Sequence, residues 1–475
     1  MSRMKLPESV FTDFSDSIGP MVVKELRQGL RARSFTWAFL FVQLLLLIFM
    51  VGGFVESSDS RDTAGSFWFL LQVALLVVMP LRGLNALNVE VKLNTMELIS
   101  LTRMSAWRIT VGKWLALMSQ SVLLAIAVLP YIVLRYFFGG MNVVAELVLL
   151  LVVIGLSGLV TALMVGLSVV SNFLIRCFFT VPVLILVFRF LGESVYRVSR
   201  GDGVAPFNLE WEAWLCIVPA AIFLGCYLLD MAASRIAPEA VNYVTRRRIA
   251  ALCCFGASLV LSHFWAVPAA LLLSFSFLGL FAIDALSEHP PTVSSVYEPF
   301  RRLPGGRILE TFFAPGWCSG TWFIFLLSAL MAVAALLSPQ AWISSDLDSA
   351  GMSIAMILSV TASLMLPLAI MLLSRPTHPE PVVSYCLTGI FLVTIAVSMM
   401  PFVERGDLPG LIQLVVLLPP LSIFAIFRES VGSHEPLMFS VVQVLVLLFS
   451  VAVVLWKNLR VRRAMAQARR EDLSV

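Results

Sequence analysis

The apolar runs of this chain are the feature that most constrains its fold. They follow one another from residue 35 to residue 456, and each is close to the roughly 20 residues that a helix needs to cross a bilayer. Hydrophobic residues make up 59% of the 475 residues and charged residues 13%, against roughly half and a quarter in soluble chains. A soluble enzyme, a disordered protein, a fibrous repeat and a single-span receptor are excluded. The sequence therefore predicts an all-α, polytopic helical membrane protein.

The first half of the chain contains six candidate spans. They lie at about 35–55, 66–87, 111–138, 143–170, 173–191 and 213–234. With the N-terminus inside, the inner connections carry sixteen Lys and Arg residues and the outer connections carry five. Because positive residues accumulate in cytoplasmic loops, we expect both ends of this half in the cytoplasm. The first run leads into Glu56 with no small-residue cleavage site, so it is expected to remain as an uncleaved helix.

The second half contains seven apolar segments. They lie at about 248–264, 266–286, 318–338, 350–373, 382–402, 409–427 and 437–456. Seven crossings from an inside start would leave the C-terminal tail outside, yet its six Lys and Arg residues favour the cytoplasm. Either the short first segment or the sixth, which contains Pro419-Pro420, is then not a full crossing. We expect about twelve spans in all (12 or 13 by the number of apolar segments), each of roughly 20 residues.

The sequence contains none of the nucleotide-binding, catalytic or metal-binding motifs considered below. There is no G-x-x-x-x-G-K-[ST] phosphate loop and no G-x-S-x-G elbow. The four histidines lie far apart and the seven cysteines form no CxxC pair, so no metal-ligand spacing is present. We expect neither a catalytic residue nor a metal site here, and the small net charge of +4 gives no indication of nucleic-acid binding.

Ionisable residues near the spans are few. Five of them, namely Arg135, Glu146, Arg189, Asp230 and Asp284, fall within a turn or two of a span end, where long side chains can reach the interface. Glutamines 43, 72, 120, 413 and 443 lie deeper, and we expect them to hydrogen-bond between helices. Since ion-coupled transporters use buried carboxylates, this distribution disfavours that class.

The segment before the first span predicts an amphipathic helix. Pro20 suits a first helical position, and Val22, Leu26 and Leu30 recur at helical spacing with Val23 beside them. The opposite face is polar and mainly basic, with Lys24, Glu25, Arg27, Gln28 and Arg31. A helix of this kind lies in the membrane interface; the alternative is a generic positive flank of the first span.

The connection between the second and third spans, residues 88–108, is long for this chain. Glu90, Asn94 and Glu97 form one polar helical stripe, and apolar residues such as Leu98 follow it outside the membrane. Ser105 is placed to cap the helix that continues into the third span. The segment is either a docking element for a partner or a loop that packs on itself.

These two segments resemble the permease subunits of ABC-2 type transporters. The resemblance rests on Gly-Pro-Met-Val-Val-Lys-Glu-Leu-Arg at 19–27, followed by Glu90, Thr95-Met-Glu97-Leu98, Ser105, Ile109 and Gly112-Lys113. Three positions depart from the family pattern: Lys92 stands where an acid is usual, Asn94 replaces a glycine and Arg103 replaces a proline. The resemblance covers about residues 15–248.

The resemblance implies a permease subunit, an exporter, that is energised by a separate ATPase carrying ATP and Mg²⁺. It implies an elbow helix at Lys24, Glu25, Arg27 and Arg31, and ATPase-coupling residues Glu90, Thr95, Glu97, Leu98, Arg103 and Ser105. It also implies a homodimer or heterodimer of permease chains in the inner or plasma membrane, in contact with lipid and with both termini cytoplasmic.

Four parts of the chain are expected on this basis. They are a cytoplasmic N-terminus with the elbow helix (1–34), a six-span permease domain (35–248), an additional membrane domain (249–456) and a basic cytoplasmic tail (457–475). The additional domain is either unrelated or a degenerate second permease half. Two other functional classes stay open: a membrane-embedded enzyme or assembly scaffold, and an ion-coupled secondary transporter.

Overall fold

A computed structural model defines the fold. It describes residues 20–55, 60–88, 105–137, 143–170, 172–200, 211–238, 241–265, 268–290, 294–297, 300, 302, 304–337, 347–374, 381–404, 419–423 and 436–472. Within these ranges the regular structure is helical and contains no strand. The all-α fold class is therefore confirmed for the described part of the chain.

The helices divide between two compact units, which we describe separately. The first unit comprises the described residues of Met1–Glu210 and Ala221–Ala237; the second comprises those of Trp211–Ala220 and Pro238–Val475. The helices before residue 240 are α1 (Pro20–Arg31), α2 (Arg33–Val55), α3 (Ser60–Val73), α4 (Met79–Leu81), α5 (Ala106–Phe137), α6 (Val143–Leu167), α7 (Phe173–Arg200) and α8 (Trp211–Ile236). A π-helical turn (Ala74–Val78) joins α3 to α4, and a 3-10 turn (Arg82–Asn85) follows α4.

The helices after residue 240 complete the second unit. They are α9 (Val244–Trp265), α10 (Pro268–Leu286), α11 (Gly306–Phe313), α12 (Trp317–Leu337), α13 (Leu347–Ser374), α14 (Pro381–Glu404) and α15 (Pro436–Asp472). A 3-10 turn at Ser294–Tyr297 lies between α10 and α11.

Many of these helices are long and apolar enough to cross a membrane. Nine stretches of the described residues meet that description: Gly65–Asn85, Ala106–Phe137, Val143–Leu167, Phe173–Tyr196, Trp214–Ile236, Trp317–Leu337, Ser353–Ser374, Pro381–Ser398 and Ser440–Leu459. A tenth is formed by α1 and α2 if this pair, bent by 60°, is one span. The multi-pass character predicted from the apolar runs is thus confirmed.

Hydrogen bonds between neighbouring helices set the packing of the first unit. The Trp114 indole N–H of α5 donates to the Gly158 carbonyl of α6 at 3.0 Å. Inside the π-helical turn, the Leu75 carbonyl accepts the Ser157 hydroxyl at 2.7 Å. The Ser194 hydroxyl of α7 donates to Gln72 Oε1 at 3.0 Å, which confirms the expected interhelical role of that glutamine. These bonds place polar groups between helices rather than towards lipid.

In the second unit α9 and α10 form an antiparallel pair. The Ser258 and Ser274 hydroxyls hydrogen-bond at 2.9 Å halfway along it, and Arg247 meets Asp284 at its end. The start of α12 packs against the end of α10 so closely that a Cβ on Gly320 would overlap the Ala285 carbonyl. Small residues let two backbones approach in this way.

The C-terminal helix returns to the same side of the second unit as the start of α12. Asn458 of α15 donates its side-chain amide hydrogen to Cys318 Sγ at 3.0 Å. Arg248, at the start of α9, bonds to Ser319 at 3.0 Å. Consequently the ends of α9 and α15 that carry basic residues lie on one side of this unit.

Candidate functional site

Five of the six residues expected at an ATPase contact lie outside the described residues: Glu90, Thr95, Glu97, Leu98 and Arg103. The sixth, Ser105, is exposed immediately before α5. Its hydroxyl accepts the Arg108 N–H at 3.4 Å and its carbonyl accepts the Ile109 N–H at 3.2 Å. This is N-cap geometry, so the predicted cap is confirmed.

The two ends of the 89–104 stretch meet the same small apolar core. Leu87 is fully buried and its N–H donates to Ser168 Oγ at 3.2 Å. Trp107, in the first turn of α5, packs against the same cluster. The other buried members are Ala162, Val165, Leu229 and Ala232. A displacement of the segment would therefore act on one packed cluster through both of its ends.

Arg176 holds the backbone next to this core. Its guanidinium donates to the carbonyl of Val170, to that of Ser168 at 3.2 Å and to that of Leu84 at 3.5 Å. Several unpaired carbonyls at a helix end are a site that a cation stabilises. In the sequence this arginine is recognisable only as a positive charge in a short inner turn, so its role as an anchor was missed.

The amphipathic helix α1 begins at Pro20, as predicted, and packs on α5. Glu25 Oε1 lies 3.3 Å from Lys113 Nζ, and the Lys113 side chain is only 6% exposed. Met21 fits against Gly112, where an added Cβ would lie 3.2 Å from Met21 Cγ. Of the four residues expected on the elbow helix, Lys24, Arg27 and Arg31 are exposed, whereas Glu25 faces α5.

A second contact joins this region to the end of the second span. Arg82, in the 3-10 turn, donates to Gln120 Oε1 on α5. Its guanidinium carbon also lies 5.5 Å from the Phe35 ring centroid of α2, within the range of a cation–π contact. The expected interhelical role of Gln120 is confirmed. We call Glu25, Arg82, Leu87, Trp107 and Lys113 the α5 platform.

We expect Glu25→Lys to lower the free energy of unfolding by about 1–3 kcal/mol, because it removes a charge-assisted bond and places two cations together. The thermal midpoint of the detergent-solubilised protein measures the change. Gln28→Lys introduces the same residue at an exposed position of α1 and is expected to have little effect. Adding Lys113→Glu to Glu25→Lys should restore the midpoint, and equal loss in the double variant would contradict the pairing.

The expectation that the ionisable residues near span ends reach out to water is wrong for four of the five. Arg135 and Glu146 are each 5% exposed, Asp230 is 6% exposed and Asp284 is 8% exposed. Arg135 Nη2 lies 3.3 Å from Glu146 Oε1, and its guanidinium carbon is 4.6 Å from the Phe67 ring centroid. The end of α5 and the start of α6 bring opposite charges together, and pairing with each other replaces contact with water.

The second unit contains a larger buried charge network, centred on Arg247 and Arg248. Arg247 makes two bonds to Asp284, at 2.7 Å and 3.0 Å, and lies 3.6 Å from Glu288. Arg248, only 2% exposed, donates to Glu288 at 2.8 Å. Other acceptors of Arg248 belong to the chain before and inside α12: the carbonyls of Phe312 (3.1 Å), Ala314 (2.7 Å) and Gly316 (3.3 Å) and the Ser319 hydroxyl (3.0 Å).

This network ties four helices together at one end of the unit: α9, α10, α11 and α12. Burial raises the pKa of the Glu288 carboxyl; Arg248, Arg247 and the Gly316 N–H oppose that rise, and Asp284 adds to it. The sequence presents Arg246-Arg-Arg248 as a basic cluster typical of a cytoplasmic flank. Only the three-dimensional packing shows that two of its members are internal.

Among the residues that the structure describes, no group of three or more His, Cys, Asp or Glu side chains is arranged to hold a metal ion. No family model, curated protein or solved structure matches this chain. The resemblance to ABC-2 type permeases therefore rests on the sequence motifs alone.

Proposed function

We propose that this protein is the membrane-spanning permease subunit of an ATP-driven transporter of the ABC-2 type, an exporter energised by a separate ATPase. The observation that carries the proposal is the α5 platform. The amphipathic helix α1 and both ends of the 88–108 segment attach to the first turns of α5 and the core beside them. A partner that moves this segment would therefore move membrane helices.

The mechanism follows from this attachment. ATP-driven closure of two ATPase subunits presses on Glu90, Thr95, Glu97, Leu98, Arg103 and Ser105. Because Trp107 and Leu87 pack in one cluster, the force reaches α5 and the end of the second span together, and the Glu25–Lys113 pair transmits it to α1. ATP shifts the transport cycle only if the ATPase contacts differ between the two states of the permease.

Twelve crossings with both termini in the cytoplasm of an inner or plasma membrane complete the proposal. The basic residues at the start of α9 and those at the start of the C-terminal tail lie on one side of the second unit. The chain between them must therefore cross the membrane an even number of times. Since α9 pairs with α10, we assign the segment without a net crossing to 409–427, most of which lies outside the described residues.

This chain itself carries no catalytic residue in the proposal, and ATP with Mg²⁺ binds to the partner ATPase. A homodimer or a heterodimer of permease chains provides the two halves of the transport path. Membrane lipid surrounds it. No nucleic acid takes part.

Affinity purification in mild detergent from the native host tests the partnership. The expected result is a stoichiometric co-purifying chain with a G-x-x-x-x-G-K-[ST] loop and ATPase activity in the complex. A chain that repeatedly purifies alone and without ATPase activity would overturn the proposal.

Glu97→Lys tests the contact itself. A reversed charge at a docking site costs more than about 1.4 kcal/mol, so we expect at least tenfold less ATPase to co-purify. Glu56→Lys, in a predicted outer loop, makes the same exchange and is expected to retain the partner. Equal recovery of the ATPase with both variants would remove Glu97 from the contact.

A second candidate function, an ion-coupled secondary transporter, is favoured by one observation. Glu146 and Asp230 are each buried inside a span, and such carboxylates commonly carry protons or cations. The pairing of Glu146 with Arg135 at 3.3 Å argues against this role for Glu146, because the guanidinium already neutralises the charge that a coupling ion would bind. Substrate flux driven by an ion gradient without nucleotide would establish this alternative.

A further inference from the structure

We propose that α11 is a membrane-surface helix of the second unit, and that Arg302 and Arg307 bind the phosphates of acidic phospholipid headgroups there. The inference does not depend on an ATPase partner. It concerns a helix of eight residues, Gly306–Phe313, that precedes α12.

The helix is amphipathic around its axis. At 100° per residue, Ile308, Leu309, Phe312 and Phe313 fall in one apolar arc, and Arg307, Glu310 and Thr311 fall in the opposite arc. The Phe313 ring faces the Phe323 ring of α12, with centroids 6.1 Å apart. Ile308, however, is 68% exposed and Leu309 is 38% exposed. Phe313 therefore packs on the protein, whereas Ile308 and Leu309 face outward.

The position of α11 sets its depth in the membrane. The 21 residues of Trp317–Leu337 extend over about 31 Å at 1.5 Å per residue, which matches the hydrocarbon thickness of roughly 30 Å. Trp317 thus lies at one boundary of the hydrocarbon. Because Phe313 contacts Phe323, α11 lies beside the first two turns of α12, at the boundary between the headgroups and the hydrocarbon.

The charge network holds the helix in this position. Arg248 donates to the carbonyls of Phe312 and Ala314, and the Thr245 hydroxyl donates to the Phe313 carbonyl at 2.9 Å. Gly305, with φ +79°, provides the left-handed residue from which the helix starts. The orientation of Ile308 and Arg307 is therefore imposed by the interior of the unit.

The positive charge of the exposed arginines indicates which kind of lipid surface α11 binds. Arg307 is exposed on α11, adjacent in the chain to the outward Ile308, and Arg302 is exposed four residues before the helix begins. Basic residues near apolar residues at headgroup depth favour acidic lipids, each adding about 1 kcal/mol of attraction to an anionic leaflet. The occupant is thus the anionic phospholipid surface of the membrane in which this unit is embedded.

Photo-crosslinking in the full chain tests the inference. A photoreactive p-benzoyl-phenylalanine placed at Ile308 is expected to form adducts with the mass of a phospholipid after irradiation of native membranes. Acidic lipids should be enriched at least threefold in these adducts relative to their share of the membrane. Arg302→Gln with Arg307→Gln should reduce that enrichment to the membrane average, whereas Arg108→Gln, an exposed arginine of the first unit, should leave it unchanged.

The same probe at Leu336, which is 57% exposed at the far end of α12, serves as the control for lipid labelling in general. An adduct of protein size at residue 308 would overturn the inference and identify this face as a protein contact. Adducts without acidic enrichment would overturn it as well. So would the absence of adducts at 308 under conditions where residue 336 labels lipid.

Discussion

Arg248→Ala is expected to prevent accumulation of the folded protein, whereas Arg246→Ala leaves the fold intact. Arg248 is 2% exposed and bonds to Glu288 and to three backbone carbonyls that lead into α12. Its removal takes a charged donor from three carbonyls and leaves Glu288, which is 15% exposed, with Arg247 at 3.6 Å and the Gly316 N–H as its partners. Breaking a buried charge pair in this way costs about 3–5 kcal/mol.

The comparison between the two arginines makes this prediction specific. Arg246 is exposed and its guanidinium lies 5.6 Å from the Tyr243 ring centroid, so its loss is expected to cost about 0.5 kcal/mol or less, as at most surface positions. The monodisperse fraction in detergent and its thermal midpoint measure both variants. Arg248→Lys is expected to recover only part of the loss, because an ammonium cannot reproduce the planar fork of bonds. Equal yields of the 246 and 248 variants would contradict the network.

Either Arg135→Met or Glu146→Leu is expected to lower the free energy of unfolding by about 3–5 kcal/mol. The two side chains are each 5% exposed and lie 3.3 Å apart, so either substitution leaves one charge buried without its partner. Arg135→Met combined with Glu146→Leu is expected to recover most of the loss, since an apolar pair of similar volume avoids the desolvation of both ions. Thermal midpoints of the four proteins form the double-mutant cycle.

The double-mutant cycle also tests whether the ion pair takes part in transport. If the apolar pair restores the fold and the protein still exports its substrate, the ions serve stability alone. If it restores the fold and abolishes transport, the ion pair takes part in the transport cycle, and the ion-coupled alternative gains support. Additive losses in the double variant would show that the two residues act independently, contrary to the observed pairing.

Several local features could be predicted from the sequence. The start of α1 at Pro20 and the cap at Ser105 follow from residue preferences at helix ends. The interhelical bonds of Gln72 and Gln120 follow from the scarcity of other partners for an amide inside an apolar helix. Each of these predictions depends on the residue itself and a few neighbours in the chain.

The charged residues could not be assigned in the same way. Four residues near span ends were expected to reach water, and the structure buries them: Arg135, Glu146, Asp230 and Asp284. Arg248 resembled an ordinary cytoplasmic flank, although its partners are 40 to 71 positions away. The coupling residues Glu90, Thr95, Glu97, Leu98 and Arg103 lie outside the described residues, and their role stays a prediction.

The apolar pattern of the chain is sufficient to predict a helical, multi-pass membrane protein and the positions of most of its helices. The physical reason is that transfer into a bilayer depends on the apolar content of about 20 consecutive residues, which is a local sum. The pairing of the charged residues, in contrast, follows only from the three-dimensional packing. Glu25 with Lys113 and Arg247 with Asp284 are 88 and 37 positions apart. Whether a charged side chain near a span end contacts water or an opposite charge depends on which helices pack together. The apolar content of a local stretch of sequence does not indicate this.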